Sequence, residues 1–181
     1  MERQLRPGAR SALWVAVALA LATVLAASCG GDLSATPPGP IVPGTSAHPR
    51  AVNVILRDYV FVPTPILLVP GETVRFQLIN GGLVEHEFVL GPQLLQDAYE
   101  RADAAAAPSL PDATARPVSL APALAATGLR IVLASGHQAS VLYRVPSRQA
   151  PTLLLECHIP GHLAKGMVGR IAYVAPRATG P

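Results

Sequence analysis

The 181-residue chain is poor in aromatic and charged side chains: 4% of its residues are Phe, Tyr or Trp, and 14% are Asp, Glu, Lys or Arg. It also has only two cysteines and two methionines. So small a charge complement, with no dense basic patch, excludes a nucleic-acid surface. The formal charge is +3, but Arg3, Arg6, Arg10 and Glu2 account for two of those charges, and the rest of the chain carries 11 basic and 10 acidic residues. The two cysteines, Cys29 and Cys157, lie far apart and form no CxxC, so a zinc ribbon or a thioredoxin-type redox motif is absent. What the chain has in quantity is aliphatic bulk and 19 prolines. That mixture disfavours a helical bundle and favours short strands joined by turns.

The first 28 residues read as an export signal. Three arginines precede an apolar run over 12–27, interrupted only by Thr23. The run is short for a membrane span and suits a signal-peptide core. Leu25-Ala26-Ala27-Ser28-Cys29 is similar to the lipobox of bacterial lipoproteins, with the leucine one position early. That similarity makes Cys29 the expected lipidation site and the membrane an expected partner. Residues 29–50, rich in Pro, Gly, Ser and Thr, read as a flexible tether in which His48 is a solvated side chain.

Strand patterns start at Ala51. Val52, Val54 and Leu56 alternate with Asn53, Ile55 and Arg57, and Val74, Phe76 and Leu78 alternate with Arg75 and Gln77. Pro70-Gly71 and Asn80-Gly81-Gly82 mark turns. Further strands are expected at His86–Leu90, Leu129–Leu133, Ala139–Val145, Thr152–Cys157 and Met167–Val174. Leu94, Leu95, Ala98, Tyr99 and Ala102 recur at helical spacing, with Asp97, Glu100, Arg101 and Asp103 between them, so the Ala/Pro-rich insertion at about 92–128 holds one amphipathic helix. His137, in Ser135-Gly136-His137-Gln138, is read as a turn residue. Many short strands with frequent turns imply an all-β sandwich or barrel.

The stretch from Glu156 to Met167 carries the chemistry. Cys157, His162 and Met167 are separated by two gaps of four residues, and His86 precedes Cys157 by 71 positions. Side chains alternate along a strand, so His86 points with Phe88 and Leu90, and Cys157 with Leu153 and Leu155, toward the interior. The loop 158–166 has the length to fold back and present His162. Thiolate and thioether favour Cu(I), and imidazole accepts both copper oxidation states, whereas Met is a poor zinc ligand. Leu155, Ile159, Pro160 and Leu163 are the expected apolar surroundings.

At these residues the chain resembles the cupredoxins, the type 1 or blue copper proteins such as plastocyanin, azurin and rusticyanin. The C-x4-H-x4-M loop, the stretch Asn80–Leu90, Asp58-Tyr59-Val60-Phe61-x-Pro63 and Pro70-Gly71-Glu72 carry the resemblance, which covers most of 51–174. It implies a Greek-key β-sandwich over 51–176 with one type 1 copper ion at one end. By position His86, Cys157 and His162 would be equatorial ligands and Met167 axial. The resemblance also implies a single-electron carrier between redox proteins outside the cytoplasmic membrane, with the exposed edge of His162 as the electron port beside Pro160, Gly161, Leu163 and Ala164. With four protein ligands and no open position, no catalysis is expected. The alternative is an extracytoplasmic copper-binding or copper-delivery protein. One departure is Glu87, where family members often carry Asn or Ser after the first histidine. An ionised carboxylate cannot donate a hydrogen bond toward the thiolate. Cys157-His158 is also similar to the multicopper oxidases, but the chain lacks their His-x-His pairs, so His158 is read as a loop residue.

Overall fold

The computed structural model describes residues 40–106, 118–147 and 152–177. The expected signal peptide, Cys29 and residues 30–39 of the expected tether lie outside the described residues. So does the middle of the insertion.

Among the described residues, ten strands form two four-stranded sheets and one two-stranded sheet. The strands are β1 (Arg50–Arg57), β2 (Val60–Val62), β3 (Ile66–Leu68), β4 (Thr73–Asn80), β5 (His86–Gly91), β6 (Leu129–Leu133), β7 (Gln138–Arg144), β8 (Leu154–Glu156), β9 (Val168–Gly169) and β10 (Ile171–Tyr173). Helices α1 (Gln93–Ala106) and α2 (Pro122–Ala125) lie between β5 and β6. One sheet has the order β2-β1-β4-β7 and the other β6-β5-β8-β9, while β10 pairs with β3. The β1–β4 and β10–β3 pairings are parallel. These non-consecutive neighbours give the expected all-β Greek-key sandwich.

The alternation read from the sequence is the alternation that folds. Val52, Val54 and Leu56 point inward from β1, and Val74, Phe76 and Leu78 from β4, while Ile55, Gln77 and Ile79 face outward. They meet Phe88 and Leu90 of β5, Leu155 of β8 and Leu133 of β6 in one core. Phe88 stacks against both Phe61 and Phe76, at centroid separations of 6.2 and 5.2 Å. Such aromatic pairs add about 1 kcal/mol each beyond the area they bury.

Strand β5 breaks the alternation, because all six of its residues are buried. His86, Phe88 and Leu90 face the core. Val89, on the other face, is covered by Leu95 and Tyr99 of α1, with Val118, Leu120 and Leu124 behind them. The insertion thus packs a helix on the outside of the strand that begins with His86.

Two details differ from the sequence reading. The terminal strand is interrupted at Arg170: β9 pairs with β8, and β10 crosses to β3. The end of the expected tether is bound to the domain. Gly44 N–H and the Arg50 guanidinium both donate to the buried Glu72 carboxylate, Thr73 N–H donates to Gly44 O, and Arg177 N–H to Ile41 O. His48 is exposed and His137 stands in the turn after Gly136, as expected.

Candidate metal centre

His86 opens β5 and Cys157 is the first residue past β8. The two strands pair antiparallel, with Leu90 opposite Leu155 and Val89 opposite Glu156. That register brings the start of one strand beside the end of the other. Glu87 N–H then donates to Cys157 Sγ at 3.3 Å.

The loop after Cys157 is a series of tight turns. His162 N–H donates to Ile159 O, Gly166 N–H to Leu163 O, and Met167 N–H to His162 O at 3.1 Å. Gly161 and Gly166 have φ of +94° and +90°, which a side chain would strain. Cys157 N–H closes the loop on Met167 O at 3.2 Å. Folded this way, the loop returns His162 to the thiol. Its Nδ1 lies 3.4 Å from Cys157 Sγ and 3.2 Å from His86 Nδ1.

One donor atom from each of His86, Cys157 and His162 falls within 4.8 Å of the others, and all three residues are buried. Met167 is also fully buried, in the core that holds Cys157 and Ile159. Three lone-pair donors converging in a dry site suit a soft cation better than shared protons. Burial pushes the Cys157 thiol up to about 12 despite the Glu87 N–H, so an uncharged thiol is its metal-free form. A thiophilic cation displaces that proton.

The side chains around the cluster orient it. Asp58 Oδ1 accepts from Leu83 N–H at 2.8 Å and lies 3.3 Å from His86 Nε2. Burial holds the His86 imidazole below its ordinary value, although Asp58 opposes this. A neutral His86 that donates from Nε2 to the carboxylate keeps the Nδ1 lone pair turned to the cluster. A Cβ at Gly82 would crowd Asp58 Oδ1 and lie 2.8 Å from His86 Nε2, so a larger residue there would push these two groups apart. Asn80 braces the same loop, donating to Val84 O and Leu133 O and accepting from Gly82 N–H.

Glu87 has a different role from the residue it replaces. Its backbone serves the thiol, and its side chain turns outward to an ion triad beneath α1. One Arg130 nitrogen donates to Glu87 Oε1 and, at 3.1 Å, to Asp103 Oδ1. The guanidinium also lies 5.1 Å from the Tyr99 ring centroid. Burial pushes both carboxyls up and Arg130 pulls them down. Asp103, expected on the polar side of the helix, is therefore buried, and Leu94, expected on its apolar side, is 63% exposed.

Gln96 is likewise buried. Its amide N–H groups donate to Val89 O and Leu154 O at 3.1 and 3.0 Å, and its Oε1 lies 2.8 Å from His158 Nε2. His158 is thus a loop residue, but a buried one tied to the insertion. Burial pulls its imidazole down to about 4. The unfolded chain takes up a proton near pH 6.5 that the fold refuses until about pH 4, so stability falls as pH falls through that window. Between pH 7 and pH 5 this group is expected to cost about 2 kcal/mol. Urea unfolding of the metal-free chain at both pH values, repeated with His158→Gln, checks it. The variant is expected to lose most of that dependence.

The sequence reading is corrected at one site residue. His162 was expected to show an edge at the surface, yet it is only 1% exposed. The Tyr59 ring stands edge-on to it at 5.0 Å. Pro160, Leu163 and Ala164 do reach the surface, where they line a groove of about 380 Å³ with Glu100 and Ala104 of α1.

No model of an established protein family matches the chain. It is similar to the copper-resistant cuproprotein CopI of Rubrivivax gelatinosus, 33% identical over 131 residues that cover 71% of this chain and 70% of the relative. Among solved structures it is similar to auracyanin B, with a TM-score of 0.52 and 27% identity over 75% of this chain and 95% of the other. The reduced auracyanin of Roseiflexus castenholzii shares the fold, with a TM-score of 0.53 and 17% identity over 72% of this chain and 99% of that one.

Proposed function

The chain belongs to the family of the CopI cuproproteins and has the cupredoxin fold, and from that footing we propose that it binds one copper ion outside the cytoplasmic membrane in order to handle copper. His86, Cys157 and His162 would hold it, and the thioether of the buried Met167 would be a fourth, weaker donor. The observation that carries the reading is the convergence of three buried donors, two imidazole nitrogens and one sulfur, within 4.8 Å. This donor set suits both Cu(I) and Cu(II). Bound there, copper supplies a one-electron couple.

The chain's own residues do the rest. Asp58 holds the His86 ring, Glu87 N–H stabilises negative charge on Sγ, and Leu155, Ile159 and Met167 keep water away. Four protein ligands leave no position for a substrate, so the proposed role is not enzymatic. Export and lipid anchoring at Cys29 belong to the same proposal, supported by the apolar run 12–27 and the residues before Cys29. They would hold the domain at the outer face of the membrane.

Handling is favoured by the buried edge of His162 and by the relative's name, copper-resistant. A second reading is single-electron transfer between redox proteins. It is favoured by the bonds that fix the donors, Glu87 N–H to Sγ and Met167 N–H to His162 O, because a fixed site rearranges little when its charge changes. Mixing a Cu(I)-loaded copy with a mass-labelled, Cu(II)-loaded copy carrying a different copper isotope, and weighing each intact chain with its metal, separates the two. Isotope redistribution faster than electron self-exchange supports handling. Fast electron exchange with the isotopes in place supports the carrier and overturns handling.

A further inference from the structure

Tyr59 lies in the two-residue connection between β1 and β2. Its φ is +66°, the one positive value at a non-glycine position among the described residues. Bulky side chains rarely adopt that left-handed conformation, and strain of this kind persists where the surroundings enforce it. Here the two-residue turn between the paired Arg57 and Val60 imposes it, and so sets the ring against the proposed copper ligands. The ring stands edge-on to His162 at 5.0 Å and to His86 at 6.2 Å, with interplanar angles of 86° and 87°.

The other side of the contact comes from the ligand loop. Lys165, three residues after His162, places Nζ 4.2 Å from the Tyr59 ring centroid and donates to Tyr59 Oη at 2.9 Å. Its backbone N–H donates to Gly161 O and His162 O. The ring is thus gripped between the β1–β2 turn and the loop that carries His162. Lys165 is exposed, and an exposed ammonium over a ring is a contact that opens readily. The arrangement is a weak fastening over a buried donor set.

We propose that Tyr59 and Lys165 form a latch that closes the outer side of the site and controls how fast copper enters and leaves. The inference rests on His86, Cys157 and His162 being the copper ligands. Tyr59 positions and covers these groups. Opening it exposes His162 to a copper acceptor without unfolding the sandwich. This assigns a role to a residue that the ligand motif does not contain.

The test uses the full chain loaded with one equivalent of Cu(I) and mixed with excess bathocuproine disulfonate in a stopped-flow instrument. Tyr59→Gly removes the ring and suits the positive φ, so the turn is kept. It is expected to release copper at least about tenfold faster than the parent, and Lys165→Met a few times faster. The Cu(II) form of Lys165→Met, which changes only an exposed side chain, keeps the parent's visible spectrum. A second arm follows alkylation of Cys157 by iodoacetamide in the copper-free chain, which is expected to speed up in the same order. Parent-like rates of release and alkylation in both variants overturn the latch. Lys165→Met changes an exposed residue, so it decides the matter even if Tyr59→Gly folds poorly. A parent chain that takes up no copper overturns the ligand assignment instead, and the alkylation arm still decides the latch.

Discussion

Replacing Cys157 with serine is expected to abolish the intense visible absorption of the copper-loaded protein and to weaken copper binding by more than about 100-fold, the upper range for losing a residue that merely supports a ligand. That absorption would arise by charge transfer from a thiolate to Cu(II), and Cys157 is the one thiol among the described residues. A serine hydroxyl does not ionise in this site and is a hard donor with little affinity for Cu(I). The fold is expected to survive. Serine keeps an acceptor for the Glu87 N–H that now reaches Sγ, so the loss in stability should stay near 1–2 kcal/mol. Copper titration followed by absorbance, with urea unfolding of the metal-free variant beside it, separates lost binding from lost folding. A variant that still turns intensely coloured would remove Cys157 from the ligand set.

The second large effect concerns stability. Arg130→Met is expected to destabilise the metal-free chain by about 3–5 kcal/mol at neutral pH. The reason is what it leaves behind. Glu87 and Asp103 are both buried and face each other across one guanidinium. Each has one oxygen bonded to Arg130; Glu87 also accepts from the His158 backbone N–H, while Asp103 Oδ2 has no hydrogen-bond partner. Without the cation both carboxyls must stay protonated in the fold, while in the unfolded chain both ionise. Stability of the variant therefore falls as pH rises above the ordinary carboxylate range. Urea unfolding at pH 5 and pH 7.5 should show a smaller loss at the lower value. Replacing all three residues with apolar ones of similar volume should recover most of it. A loss below about 1 kcal/mol would mean that solvent reaches the triad.

That triad also shows where sequence reasoning stops. The inward turn of His86 and Cys157 was legible because parity along a strand is a local rule, and Phe88, Leu90 and Leu155 mark the buried face. The return of His162 was legible in the length of loop 158–166, though the turns at Gly161 and Gly166 that make it were not. The helix was legible, but its orientation was not. Periodicity placed Leu94 inward and Asp103 outward, whereas Arg130, on a strand 27 residues later, draws Asp103 in. Gln96 was hidden for the same reason. The carbonyls it satisfies belong to Val89 and Leu154, and only the β5–β8 pairing brings them together. Tyr59 and Asp58 lie within the stretch that carries the resemblance, yet nothing in its spacing tells that Asp58 meets His86 and Tyr59 meets both histidines. Each missed residue acts across a packing contact rather than along its own element. Glu87 carried no signal of its burial either: parity with His86 and Phe88 put it on the outer face of the strand, and only the helix packed over that face buries it.

Copper-edge X-ray absorption on the full chain loaded with one equivalent of copper tests the central claim most directly. Two imidazole nitrogens and one short sulfur scatterer are expected, with the sulfur missing in Cys157→Ser. A spectrum of oxygen and nitrogen neighbours alone, unchanged by that substitution, would contradict the account.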